Sequence, residues 1–164
     1  GLFQISFAEP IKAVVKDLFD LGPEYLEGDL KEAQLPLIGR SPRELLQTLG
    51  TEWGRECVHP EVWLIVAGLS LSKARAACGC EGVWFPGAIF SDVRFENEAA
   101  WIRHQGGLVI HIDRSDAAAV NAHASESGVA VQSQDAYVPN NSSFEEFFLR
   151  LEDVVMAFGE GRAA

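Results

Sequence analysis

The sequence is poor in positive charge. Thirteen Lys and Arg stand against 24 Asp and Glu, a formal net charge of −11. Non-specific binding to nucleic acid runs on clustered Lys and Arg, so neither duplex nucleic acid nor an anionic membrane is an expected partner. A small anion is not excluded, because a few local arginines can oppose the global field inside a pocket. Cysteine is scarce too: Cys57, Cys78 and Cys80 are an odd number without disulfide-framework spacing. Cys78-Gly79-Cys80 has no second cysteine pair or neighbouring His to complete a zinc site, and no metal site is expected from side chains. No apolar run reads as a membrane span and no signal-peptide pattern opens the chain, so the cytosol is the expected compartment. An initiator Met is also missing. Leu2 to Ala8 already reads as a strand, and the expectation is that an upstream segment has been removed.

What is present is an ordinary globular balance, 48% hydrophobic and 23% charged residues in 164, enough for one domain with a buried core. Short strand-like runs alternate with longer helix-like ones, which predicts an α/β fold with a mostly parallel sheet. After the opening strand, Glu9 to Asp20 has helical apolar spacing and Pro10 in its first turn. Leu21 to Arg40, broken by Gly22-Pro23, Gly28-Asp29 and Pro36, is expected to be a long surface loop with room for a helical turn. Ser41-Pro42-Arg43-Glu44 combines an N-cap, a first-position Pro and a capping-box Glu. It predicts a helix toward Glu56, followed by another from Pro60 to about Ala77. Strands are expected at Ala88–Val93 and Leu108–Ile112, with a helix over Glu96–Gln105 between them and a weaker strand at Asp135–Val138. Arg114 to Gly128 is polar and small. The last helix carries an apolar stripe of Phe144, Phe147, Phe148, Leu151, Val154, Val155 and Phe158.

Ligands of open α/β sheets bind beyond the carboxyl ends of the strands. Those positions hold Glu9 and Lys12, then Asp92, Arg94 and Glu98, then Asp113 and Arg114, and finally Asn140 and Asn141. An Asp at a strand end two residues before an Arg can hold a hydrated cation beside a phosphate-gripping guanidinium. Equally, Asp92 and Arg94 can cap the next helix and pair with each other. Arg43 and Gln47 lie four apart on one helix face. Arg55, twelve residues after Arg43 on a straight helix, cannot share a phosphate with it unless Gly50 or Gly54 breaks the helix. His123-Ala124-Ser125-Glu126 resembles a nucleophile and base, with nothing to orient it. The four Trp read as packing residues.

Five segments in order carry a resemblance: Phe7-Ala8-Glu9-Pro10-Ile11-Lys12, Leu26-Glu27-Gly28-Asp29-Leu30-Lys31, the run from Ser41 to Glu52, Ser91-Asp92-Val93-Arg94-Phe95-Glu96-Asn97-Glu98, and His123-Ala124-Ser125-Glu126 with the later Asn140. Together they resemble the phage deoxynucleoside monophosphate kinases. The resemblance implies a P-loop kinase-like three-layer fold over residues 1–164, its mostly parallel sheet flanked by helices. It also implies an acceptor-binding insertion over about 21–80 and a lid-like segment over about 114–128. The activity it implies is transfer of the γ-phosphoryl group of ATP, with Mg²⁺, to a deoxynucleoside monophosphate. Asp92 would steer the magnesium shell or the acceptor phosphate, Arg94 would bind that phosphate and Arg114 would close over the transferring group. Lys12, Arg43, Gln47 and Glu98 would contact the acceptor, and Asn140 the donor base. A homodimer, and the host cytoplasm for a phage-encoded chain, belong to the same implication.

The departure from the family pattern is that no G-x-x-x-x-G-K-[ST] occurs in the 164 residues. The first strand and phosphate-binding loop would lie upstream of Gly1, and the chain alone is expected to show little or no activity. The alternative is a non-catalytic nucleotide-binding or assembly module derived from a P-loop kinase. A third expectation is a related kinase acting on another small acceptor.

Overall fold

The computed structural model describes residues 1–113 and 128–161. The chain divides into two compact units, Gly1–Val93 and Arg94–Ala164, each with its own pair of parallel strands.

In the first unit β1 (Phe3–Ile5) pairs in parallel with β2 (Ala88–Phe90), Phe3 opposite Ala88 and Ile5 opposite Phe90. Two strands joined in parallel need a long crossover, and here residues 6–87 fill it. Helix α1 (Glu9–Phe19) has Pro in its first turn and ends at Asp20, whose left-handed φ of 50° turns the chain away. The segment predicted as a surface loop is more ordered than that. It contains α2 (Pro23–Leu26) and a 3₁₀ turn (Asp29–Glu32), and its Leu21, Leu26 and Leu35 join Val15 in a buried cluster against Leu45, Leu46 and Leu49. The polar punctuation read as loop in fact spaces three core leucines.

The capping box forms as the sequence predicts. Ser41 N–H donates to Glu44 Oε2 at 2.7 Å while Glu44 N–H donates to Ser41 Oγ at 3.3 Å, opening α3 (Pro42–Gln47). The helix then widens rather than breaks: Thr48–Val58 is a π-helical segment. Its two glycines explain the widening. A Cβ on Gly54 would lie 2.7 Å from the Trp63 ring, and the Trp63 indole N–H donates to the Gly50 carbonyl at 2.7 Å. Helix α4 (Val62–Cys80) follows, burying Trp63, Leu64, Ala67, Leu71 and Cys78. By length and composition α4 is apolar enough to cross a membrane, a run the sequence reading passed over. Lys73 and Arg75 lie within it, and its buried residues pack inside this unit.

In the second unit α5 (Glu96–His104) precedes β3 (Ile110–Asp113), which pairs in parallel with β4 (Ala136–Pro139). Helix α6 (Phe144–Glu160) starts at Ser143, whose hydroxyl accepts from Glu146 N–H at 3.3 Å. Its apolar stripe is not a buried face: no α6 residue is buried, and Phe144, Phe148, Val155 and Met156 are exposed. The predicted α/β character with parallel strands flanked by helices holds. The strands among the described residues form two two-stranded ladders; β1, β2 and β3 are shorter than the sequence patterns suggested, while β4 keeps its four residues one position later.

Candidate nucleotide site

The carboxyl ends of β1 and β2 are tied together by one side chain. Asp92, just past β2, accepts from Ser6 Oγ at 2.6 Å and Ala8 N–H at 2.8 Å through Oδ2, and from Phe7 N–H at 3.1 Å through Oδ1. Ser6 Oγ accepts in turn from Ala8 and Glu9 N–H. The positive end of the α1 dipole meets a carboxylate. Asp92 thus ties down the turn that leads from β1 into α1, through amides that precede the helix. With both oxygens engaged by three donors, Asp92 is poorly placed to be a direct metal ligand. No cluster of three His, Cys, Asp or Glu side chains among the described residues could hold a metal ion either.

Lys12 lies on α1 and lines a cleft of about 320 Å³ with Glu9, Ala13, Lys16, Asp17, Pro23, Leu26 and Glu27. Its ammonium pairs with Glu27 at 2.8 Å, and that hydrogen bond and charge hold the Glu27 carboxyl below its ordinary range. Three acids face two lysines around this cleft, a balance that disfavours a phosphate dianion. Arg43 is paired with Glu32, and Gln47, half-buried, stands where α3 gives way to the π segment. Two of the three cations expected at the acceptor, Lys12 and Arg43, therefore have carboxylate partners from the 21–40 segment. Arg55 Nη1 reaches the Pro60 carbonyl at 3.5 Å.

In the second unit the sequence Arg94-Phe95 bends into α5 around Glu98. Glu98 is only 2% exposed, and its Oε2 accepts from Arg94 N–H at 2.8 Å and Phe95 N–H at 3.1 Å. Asn140 follows β4, its N–H donating to the Asp113 carbonyl at 2.6 Å. The Tyr137 hydroxyl donates to Asp113 Oδ2 at 2.6 Å, an exposed pair that raises the phenol pKa. Asp113 and Asn140 are therefore neighbours at the carboxyl edge of the second ladder. Arg114, the rest of the lid-like segment up to residue 127, and His123-Ala124-Ser125-Glu126 lie outside the described residues.

Nothing in the sequence pointed to a shielded ionic group in the second unit. Asp135 is wholly shielded from solvent and Arg103 nearly so, at 0% and 7% side-chain exposure. Arg103 Nε and Nη2 grip the two Asp135 oxygens at 2.9 and 2.7 Å, and His111 Nε2 and Gln132 N–H each lie 2.9 Å from Oδ2. The guanidinium, more than any other partner, drives the Asp135 carboxyl far below its ordinary range against the opposing effect of burial. Arg103 also binds Glu96 at 2.8 Å and the Ala130 carbonyl at 3.1 Å. The sequence shows only the seven-residue spacing of Glu96 and Arg103, two turns of one helix face.

In open α/β sheets ligands bind beyond the carboxyl ends of the strands, where the first unit carries Asp92 and the second carries Asp113 and Asn140. The family model described as Deoxynucleotide monophosphate kinase matches residues 39–151, and the chain belongs to that family. Its relatives bear this out. The chain is 31% identical, over 92% of its own length and 81% of the relative, to a protein of Acanthamoeba polyphaga mimivirus named putative deoxynucleotide monophosphate kinase. It is 34% identical over 69% of its length to the deoxynucleoside-5'-monophosphate kinase of Escherichia phage T5 and 26% identical over 70% to the deoxynucleotide monophosphate kinase of Escherichia phage RB69. The chain spans 40% and 45% of those two phage proteins. Arg43, Gln47, Asp92, Arg94, Glu98 and Asn140 fall inside the matched span and Lys12 outside it.

Proposed function

We propose that this chain carries the acceptor side of a deoxynucleoside monophosphate kinase, in which Arg94 binds the phosphate of the acceptor that receives the γ-phosphoryl group of ATP. The observation that carries the reading is the family match over 39–151, which encloses the exposed Arg94 beside a strand end. Phosphoryl transfer asks little covalent chemistry of a protein; it needs cationic charge and alignment. Arg94 offers a planar fork matched to phosphate oxygens. Arg43 and Gln47 are second-rank contacts, and Lys12 and Glu27 form a fixed pair that leaves Lys12 a minor one. Asn140 is the donor-base candidate and Arg114 the candidate to close on the transferring group.

The family implies ATP and a divalent metal. The described residues supply no ligand set for one, since Asp92 is engaged by backbone and hydroxyl donors, so no step is assigned to a metal held by them. Asp92 holds the turn from β1 into α1 and thereby fixes the floor of the first ladder's carboxyl edge. A homodimer and a cytoplasmic setting remain proposals on the same footing.

A second reading is a binding module without catalysis. Calorimetric titration with each deoxynucleoside monophosphate, beside an ADP-release assay with ATP and Mg²⁺, separates the two. Binding without turnover in this chain and turnover in a version extended upstream support the kinase. Binding with no turnover in either supports the module. Arg94→Ala is expected to weaken monophosphate binding at least tenfold, on the order of 1.4 kcal/mol or more; unchanged affinity removes Arg94 from the site.

A further inference from the structure

We infer that Glu98 is a positioning residue for Arg94 and does not itself contact the acceptor. The inference rests on the acceptor-site reading above and reassigns one of its residues.

The geometry is specific. A carboxylate that binds a ligand in a cleft has to reach solvent when the cleft is empty, yet Glu98 is 2% exposed. A single oxygen of it takes the N–H groups of two consecutive residues, Arg94 and Phe95. Phe95 is extended, with φ −110° and ψ 146°, so the chain between the strand end and α5 wraps the carboxylate, and Glu98 determines where the Arg94 backbone stands. Glu98 stands where a capping-box acid ordinarily takes the N-cap amide alone, and here the same oxygen also takes the Arg94 amide. Burying a carboxylate is costly, and amide donors aimed at it recover much of that cost. The acid therefore fixes a place in the chain more firmly than a surface cap does. That place is the backbone of the one arginine assigned to the phosphate.

Two substitutions separate reach from charge. Glu98→Gln keeps an acceptor oxygen at the same length without charge. Glu98→Asp keeps the charge but withdraws it by one methylene. Each variant and the unaltered chain are titrated calorimetrically with the four deoxynucleoside monophosphates and the matching deoxynucleosides, and the exchange of the Arg94 and Phe95 amides is followed by NMR. The expected result is that E98Q binds the monophosphates within about threefold of the unaltered chain while E98D loses about tenfold. Deoxynucleoside affinity stays constant in both, and the two amides exchange faster in E98D alone. Monophosphate and deoxynucleoside weakened equally would overturn the inference, because a side chain touching the sugar or base acts on both. So would E98D retaining affinity that E98Q loses. If the unaltered chain binds no monophosphate, the acceptor reading itself fails, before any substitution is compared, and amide exchange still decides whether Glu98 holds the Arg94 segment.

Discussion

Charged side chains in this protein divide by what their partners are. Asp92 and Glu98 both meet backbone amides, and Asp135 meets a guanidinium, a ring nitrogen and an amide in a site closed to water. Losing a charged hydrogen-bond partner costs about 1–3 kcal/mol, and Asp135→Asn is expected to destabilise by roughly that amount, read as a fall in the denaturant midpoint. The pH dependence has a fixed sign. The folded carboxyl of Asp135 lies far below its ordinary value because Arg103 holds it ionised. Its contribution is complete above the unfolded pKa of about 4 and is lost as pH falls from there toward the folded value. The unaltered chain should therefore lose stability below about pH 4 more steeply than Asp135→Asn; parallel acid-unfolding curves would exclude this role.

Among the elements, the π-helical segment depends most on a single packing contact. Gly50 and Gly54 are buried where the Trp63 ring crosses, and the ring is held by its hydrogen bond to Gly50. A methyl group on Gly54 meets ring atoms at 2.7 to 2.9 Å, closer than a rigid indole tolerates. Gly54→Ala is expected to cost about 1–3 kcal/mol by overpacking and to move the tryptophan fluorescence as the ring shifts. A variant with the parent's denaturant midpoint and spectrum would show that the helix does not need this approach. The capping box of α3 was legible in Ser41-Pro42-Arg43-Glu44 because capping is a contact between residues three apart. The widening after Gln47 was not, because the cause is Trp63, a residue of the following helix. The 21–40 segment misled for a related reason. Its prolines and glycines mark real turns, but periodicity does not reveal that the leucines between them meet Val15 across the unit.

For the whole molecule, the long-range field is acidic, at −11 in formal charge, while the proposed ligands are anions. On the proposed reading recognition is local, with Arg94 acting against the overall field. Retention on duplex DNA or heparin at about physiological ionic strength is expected to be absent, whereas monophosphate binding should persist. Strong, salt-sensitive retention on either polymer would reverse the reading of the charge.

By itself the sequence determined the α/β class, the parallel pairing, the order of the main helices and strands, and the family, because period-2 and period-3.6 patterns, caps and short motifs are local in the chain. It also placed Asp92, Arg94, Glu98 and Asn140 at strand ends. Only the tertiary structure decided what those residues face. Asp92 turned back onto Ser6 to Ala8, and Lys12 and Arg43 met Glu27 and Glu32. Arg103, His111 and Asp135 assembled from α5, β3 and the start of β4 with no spacing to announce them. A carboxylate's role is set by which donors surround it and by whether water reaches it. Residues distant in sequence supply most of those donors and all of the burial.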